Sequence, residues 1–326
     1  MTLKLATYRA GGGSRVAAVA GDLAFDLEQA HALFVQEGAG RESALNAHCM
    51  VCVLEGGEEA VAEAKACAGF VSSLAETQRS AVAVDLATAA FLPPVPRPNK
   101  LLCLAGNYVE HITESKKEHR RDVHKSDVAT PRIFMKPPST TVIGHNAPVR
   151  IPRVGHFVDW EAELAVVIGK RGKYIQPEEA FDYVGGYTAL NDISERELKI
   201  WERPEKREWD GFFDWLNGKW GDGFAPCGPY LVPACEVADP HNLALKLRLN
   251  GEIKQDSNTS RMIFGVPQIL AYASSLCTLE PGDLIATGTP AGVGHPQGIK
   301  LQPGDVLETE LEGVGVLRSP VEAEDA

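Results

Sequence analysis

The stretch Val158-Asp-Trp-Glu-Ala-Glu-Leu-Ala-Val-Val-Ile-Gly169 decides how this chain is read. Successive side chains of a strand point to opposite sides, so Asp159, Glu161 and Glu163 share one face while Trp160, Ala162 and Leu164 share the other. From Leu164 to Ile168 both faces are apolar. A strand of that kind is covered on both sides and carries its carboxylates to the edge of the interior. Uncompensated charges there would cost several kcal/mol each, or be protonated. A bound cation resolves the conflict, although a strand end at the surface with solvated glutamates leaves the same local pattern.

A second strand-like run, Gly185-Gly-Tyr-Thr-Ala-Leu-Asn-Asp192, also ends in an acid. If Glu161, Glu163 and Asp192 converge from these two strands, they form a hard, all-oxygen site. Magnesium fits it best, with water and substrate completing the octahedron, and manganese is the substitute. Zinc would ask for His or Cys, which these segments do not offer. In Gly106-Asn-Tyr-Val-Glu-His-Ile-Thr-Glu114, His111 and Glu114 are three apart and share a face if the segment is helical. A carboxylate beside an imidazole fixes its tautomer and makes a general base. An ordinary surface helix has the same spacing.

Outward from these motifs, 326 residues with 44% hydrophobic composition suffice for a large core, as one large domain or a large and a small one. Acidic residues outnumber basic ones, 44 to 32, for a net charge of -12, which excludes nucleic acid as a partner on electrostatic grounds. Met1 to Gly13 lacks the features of a signal peptide, and no apolar run approaches the roughly 18–20 residues that span a bilayer. The expectation is a cytoplasmic protein with no membrane contact. The seven cysteines sit in apolar surroundings and read as reduced, packed thiols. Cys49 and Cys52 have the spacing of a redox or zinc half-site, but no second pair completes four ligands, so the spacing is read as chance.

Phe91-Leu-Pro-Pro-Val-Pro-Arg-Pro98 holds four prolines in eight residues and reads as an extended connector. It divides the chain into a small N-terminal α/β domain, 1–95, and a catalytic domain, 96–326. In the first part Lys4 to Leu27 suggests short strands, and Glu58 to Glu76 is alanine-rich and helical. In the second, short apolar runs between Gly, Pro and Asp turns predict a predominantly β, mixed α+β domain. Two segments stand apart. Ser115 to Thr130 is crowded with charge and is the candidate lid, with a solvated loop as its alternative. Glu195 to Gly218 interleaves charges with Trp201, Trp209, Phe212, Phe213 and Trp215, suited either to a distal pocket wall or to a subunit interface.

Taken together, the motifs resemble the fumarylacetoacetate hydrolase family. The resemblance runs from about Lys100 to Val316. Besides the stretches quoted, it rests on Phe134-Met-Lys-Pro137, Ser194-Glu-Arg196, Gly218-Lys219, Gly228-Pro229, Leu249-Asn-Gly251 and Leu279-Glu-Pro-Gly-Asp-Leu-Ile-Ala-Thr-Gly-Thr-Pro-Ala-Gly-Val-Gly294. It implies a mixed β-sandwich roll and a homodimer. It makes Glu161, Glu163 and Asp192 the metal ligands and puts a water-activating His111–Glu114 dyad on the lid. Lys219 would face the reacting carbonyl, and Arg196, Thr289, Lys136 and Tyr108 would bind substrate. The glycine-rich turn Thr287 to Gly294 can aim backbone N–H groups at an anion, and it lacks the Gly-Lys-Ser/Thr ending of a nucleotide loop.

The chemistry so implied is hydrolysis of a carbon–carbon bond in an acylpyruvate-like 2,4-dioxo acid, giving pyruvate and a carboxylic acid. Substrate carboxylate and 2-oxo oxygen would chelate the metal, with charge stabilised as a pyruvate enolate. His111 would activate water and Lys219 would stabilise the oxyanion. Decarboxylation of an oxaloacetate-type acid and hydratase or isomerase chemistry use the same enolate. A non-catalytic module that binds metal and 2-oxo acid is the remaining reading.

Overall fold

A computed structural model describes residues 2–21, 23–38, 45–115 and 128–325. The chain opens with the antiparallel strands β1 (Lys4–Ala10), β2 (Gly13–Ala20) and β3 (Leu23–Asp26). Helices α1 (Leu27–Gln36), α2 (Met50–Glu55), α3 (Gly57–Ser73) and α4 (Glu76–Arg79) follow. The proline-rich connector contains β4 (Phe91–Leu92), which pairs with β1.

Beyond it come β5 (Leu101–Leu104), α5 (Val109–Ser115), β6 (Ile133–Met135), α6 (Pro138–Thr141), β7 (Val142–Ile143) and β8 (Val149–Ile151). Next are β9 (Val158–Asp159), β10 (Ala162–Ile168), β11 (Val184–Asn191), β12 (Ser194–Glu195), α7 (Asp210–Asn217) and β13 (Ala225–Pro233). The chain closes with β14 (Ala244–Leu249), β15 (Glu252–Asn258), α8 (Val266–Leu276), β16 (Leu284–Ala286), β17 (Val306–Leu311) and β18 (Gly315–Ala323).

Two mixed sheets carry the architecture. The larger runs β3-β2-β1-β13-β11-β10-β16-β5-β6, and the smaller runs β15-β14-β17-β18-β8. Both include parallel and antiparallel neighbours, as in β16 with β5 and β18 with β8. This is the mixed α+β sandwich expected from the sequence. Strands β14 and β17 alternate buried and partly exposed residues, as a sheet does when one face meets the core and the other meets water.

β10 differs, because it lies between two cores. Leu164, Val166 and Ile168 pack with Leu245, Leu247 and Leu307 of the smaller sheet. Ala165 and Val167 belong to a second cluster with Leu5 and Val16 of the N-terminal strands and Val53 and Val61 of α2 and α3. That is why the strand is apolar on both faces, and each of its large side chains contributes about 1.5–3 kcal/mol by burial. The larger sheet is continuous across the connector, since β1 pairs antiparallel with β13 at Leu5 and Leu231.

Cys49 and Cys52 are joined in a disulfide across the first turn of α2. This corrects the reading of their spacing as chance and of the thiols as all reduced. Their Cα atoms are 5.1 Å apart, inside the window of roughly 4.4–6.8 Å that a disulfide requires. A single pair is insufficient for a four-ligand metal site but sufficient for a bridge. No helix among the described residues is long and apolar enough to cross a membrane.

Candidate active site

β10 and β11 pair with Ala162 opposite Asn191 and Glu163 opposite Leu190. That register sets the start of one strand beside the end of the other. One carboxylate oxygen from each of Glu161, Glu163 and Asp192 then lies within 4.8 Å of the others, and all three side chains are buried. The continuous strand expected over Val158 to Gly169 is corrected to two, with a break at Trp160 and Glu161. The break is made by two side chains from other strands. The N–H of Glu161 donates to the Asn191 side-chain oxygen at 2.8 Å, and that of Ala162 to Oε1 of Gln255 at 3.0 Å.

Asp159 is consequently a scaffold residue. Its carboxylate accepts the N–H groups of Trp160, Gly294 and His295 at 2.7–3.0 Å and Nε of Arg196 at 3.0 Å. Cations surround the acids. Nζ of Lys219 donates to Glu161 at 2.9 Å and to Asp192 at 2.7 Å. Nη2 of Arg196 is 2.5 Å from Oε1 of Glu161. Lys136, fully buried, donates to Asp192 and, at 2.9 Å, to the carbonyl of Ile193.

Glu163 is treated differently from its neighbours. Its Oε2 accepts the N–H of Gly288 at 2.6 Å, but its buried Oε1 has no hydrogen-bond partner among the described residues. Burial, then the charges of Asp192 and Glu161, push this carboxyl well above its ordinary value. Burial acts on Glu161 too, but Lys219 and Arg196 outweigh it and hold that carboxyl below the usual range. An orphaned buried oxygen within a set of three hard oxygen donors fits a divalent cation of the magnesium or calcium type.

His111 and Glu114 lie on helical α5, with Nδ1 of His111 3.1 Å from Oε1 of Glu114. An ionised carboxylate only accepts, so Nδ1 carries the proton. Glu114 also accepts the N–H of Gly292 at 2.9 Å. The glycine-rich turn thus grips anions, as expected, but they are the protein's own. Gly288 holds Glu163, Gly292 holds Glu114, and Gly294 holds Asp159. Gly292, at φ +104, has no space for a side chain, because a Cβ would sit 2.1 Å from the carbonyl of Lys254.

A cavity of about 270 Å³ opens here, bordered by Gly106, His111, Glu161, Arg196, Trp215, Lys219 and Thr289. The Thr289 hydroxyl donates to the carbonyl of Ala162 at 2.9 Å and accepts from Gln255 at 2.9 Å. Lys136 and Tyr108 are not on the cavity wall. Lys136 sits behind Asp192, and Tyr108 is buried with its hydroxyl unpartnered among the described residues. Of the aromatic insertion only Trp215 reaches the cavity, packed edge-on against Phe134 at 5.1 Å, with the Lys219 ammonium 5.2 Å from the Phe134 ring. Trp201, Trp209, Phe212 and Phe213 are exposed. Residues 116–127 of the expected lid lie outside the described residues.

Three residues that sequence reasoning passed over hold this geometry. Asn107 donates to the carbonyls of Thr287 and Phe264 and accepts the N–H of Phe264, tying the loop before α5 to the glycine-rich turn. Asn191 and Gln255 make the strand break. Asn107 and Asn191 fell inside quoted motifs, but Gln255 lies in a polar strand with no local signal.

The family profile described as the C-terminal region of fumarylacetoacetate (FAA) hydrolase matches residues 100–322. The mitochondrial oxaloacetate tautomerase of Xenopus laevis is 40% identical over 234 residues, covering 71% of this chain and 68% of that protein. The fumarylacetoacetate hydrolase of Exiguobacterium antarcticum superposes with a TM-score of 0.72 at 27% identity, over 99% of this chain and 100% of that one. A probable 2-hydroxyhepta-2,4-diene-1,7-dioate isomerase from Mycobacterium abscessus gives 0.71 at 26% identity, over 100% of both chains.

Proposed function

The chain belongs to the fumarylacetoacetate hydrolase family, and from that premise we propose that it is a tautomerase, moving a proton between carbon and oxygen in a small 2-oxo dicarboxylic acid. One observation carries the reading: His111, held by Glu114 behind it, and the carboxylate Glu161 border the same small cavity. Its volume, about 270 Å³, is just below the roughly 300–1,000 Å³ of drug-sized ligand sites and suits a four- or five-carbon acid. The likeness to an oxaloacetate tautomerase supports the same substrate class.

Glu161, Glu163 and Asp192 would hold a divalent ion, magnesium or in its place manganese, which supplies a Lewis acid for the 2-oxo oxygen. The protein's own part is proton transfer and orientation. His111, its Nδ1–H fixed by Glu114, takes the proton from the carbon next to the 2-oxo group through its other ring nitrogen and returns it to oxygen. Arg196 and Thr289, at the cavity wall, receive the substrate carboxylate. Lys219, buried at the cavity wall, would lower the energy of the negative charge that develops on the substrate.

That ammonium favours a second reading, carbon–carbon hydrolysis of an acylpyruvate. There His111 activates water and Lys219 stabilises the oxyanion at the distal carbonyl.

The two readings separate in one assay. The enol of oxaloacetate and a panel of acylpyruvates are offered with and without magnesium, following enol absorbance and identifying products. Tautomerase action predicts metal-dependent loss of enol with no new acid and no carbon dioxide, and His111→Ala should slow it by about 100-fold or more. Pyruvate plus a second acid from an acylpyruvate, with enol decay unchanged from buffer, replaces it with the hydrolase. Carbon dioxide release replaces both with a decarboxylase.

A further inference from the structure

The Cys49–Cys52 pair takes no part in the chemistry above, and stability does not explain it. A disulfide stabilises mainly by closing a loop in the unfolded chain, and more so for longer loops. This one closes a separation of 3 residues within a single helical turn, so opening it costs the fold little. Both residues are half-buried, and Cys49 opens onto a cleft of about 1040 Å³ between the N-terminal strands and the proline-rich connector. Arg9 and Arg97 line that cleft, beside an Arg15 already paired with Asp26 and Glu28, and this suits an anionic visitor.

We propose that Cys49 and Cys52 form a reversible dithiol–disulfide couple that exchanges with small anionic thiols and disulfides entering this cleft, glutathione being the type. In the reducing direction a thiolate attacks Sγ of Cys49, the Cys49–Cys52 bond breaks, and Cys52 leaves as the thiolate. A second thiol releases Cys49 and departs as the mixed partner's disulfide. Two electrons and two protons pass to the protein for each small disulfide formed, and the oxidising direction is the reverse. Two of the other thiols do not compete equally. Burial pushes Cys67 and Cys227 up to about 12, leaving little thiolate at neutral pH.

The test uses the full chain and needs no activity assay. Folded protein is incubated with reduced or with oxidised glutathione, quenched in acid, denatured, alkylated and mapped by peptide mass. The seven cysteines of the chain should all alkylate after reduction. After oxidation the peptide containing Cys49 and Cys52 should lose both sites, and added reductant should restore them. Cys52→Ser should trap one glutathionyl group on Cys49. The proposal is overturned if the folded chain keeps the pair closed in excess reduced glutathione, or keeps both thiols alkylatable in the oxidised form. The wild-type map decides this even where the variant fails to fold.

Discussion

Among the described residues Glu163 is satisfied at one oxygen and unpartnered at the other, which sets it apart from Glu161 and Asp192 with their lysine and arginine partners. A buried carboxylate so placed destabilises the metal-free protein and binds a cation strongly. Glu163→Gln should weaken magnesium or manganese binding by about 100-fold or more, beyond the roughly 10–100-fold that outer partners of a metal ligand contribute. It should also erase the thermal stabilisation by metal while leaving the metal-free melting temperature equal or higher. Calorimetric titration and a melting curve check both, and unchanged affinity would remove Glu163 from the ligand set. Two histidines outside the site should contribute to acid stability. Nδ1 of His145 accepts the N–H of Arg318 at 3.1 Å, and Nε2 of His241 accepts that of Val266 at 2.9 Å. Burial holds both imidazoles below their ordinary value, aided at His145 by Arg318 and opposed at His241 by Asp239. Each therefore binds fewer protons folded than unfolded, so its contribution is complete above the unfolded value near 6.5 and declines as pH falls below it. Urea midpoints between pH 5 and 8 should fall on the acid side, and His241→Gln should flatten that decline.

At the scale of elements, the turn from Thr287 to His295 matters most, because its amides set three carboxylates with different duties. Gly292→Ala puts a side chain against the Lys254 carbonyl at a φ unsuited to it, a strain of about 1–3 kcal/mol. Gly288, which holds Glu163, is four residues away. Turnover should therefore drop by about tenfold or more as Glu114 loses its anchor, while metal affinity stays within twofold. Steady-state kinetics beside a metal titration tests this, and a parallel loss of both would mean that the turn acts as one block. The same elements show what the sequence made legible. The two-faced apolar run marked β10 as interior, and the alternation of Glu161 and Glu163 marked where it surfaces. The break at Trp160 and Glu161 left no trace, since a period of two continues through it and its causes, Asn191 and Gln255, are 30 and 93 residues distant in sequence. The anions gripped by the turn were equally hidden, as Glu114 and Gly292 are 178 residues apart. The carboxylates could be read from the chain, but not the partners of Lys136 and Lys219, which depend on how the strands close.

The whole molecule is organised around β10. The N-terminal strands extend its sheet through β1 and β13, and their side chains roof one of its faces. Loss of that roof would bare a wide apolar surface, so the two halves should unfold together. Far-ultraviolet circular dichroism and tryptophan fluorescence should give one coincident urea transition; all five tryptophans lie beyond the connector, so separate midpoints would reveal independent units. A strand roofed on both sides by cores has no solvent face through which to breathe. Its amide hydrogens should reach the solvent only when the entire chain opens, and hydrogen exchange checks this. The acidic pocket at its mouth is therefore rigid at the rear, whatever freedom the front has. Adaptation to a new substrate must enter through α5, α7 and the loops ahead of them, while the rear wall keeps time with the slowest clock in the protein.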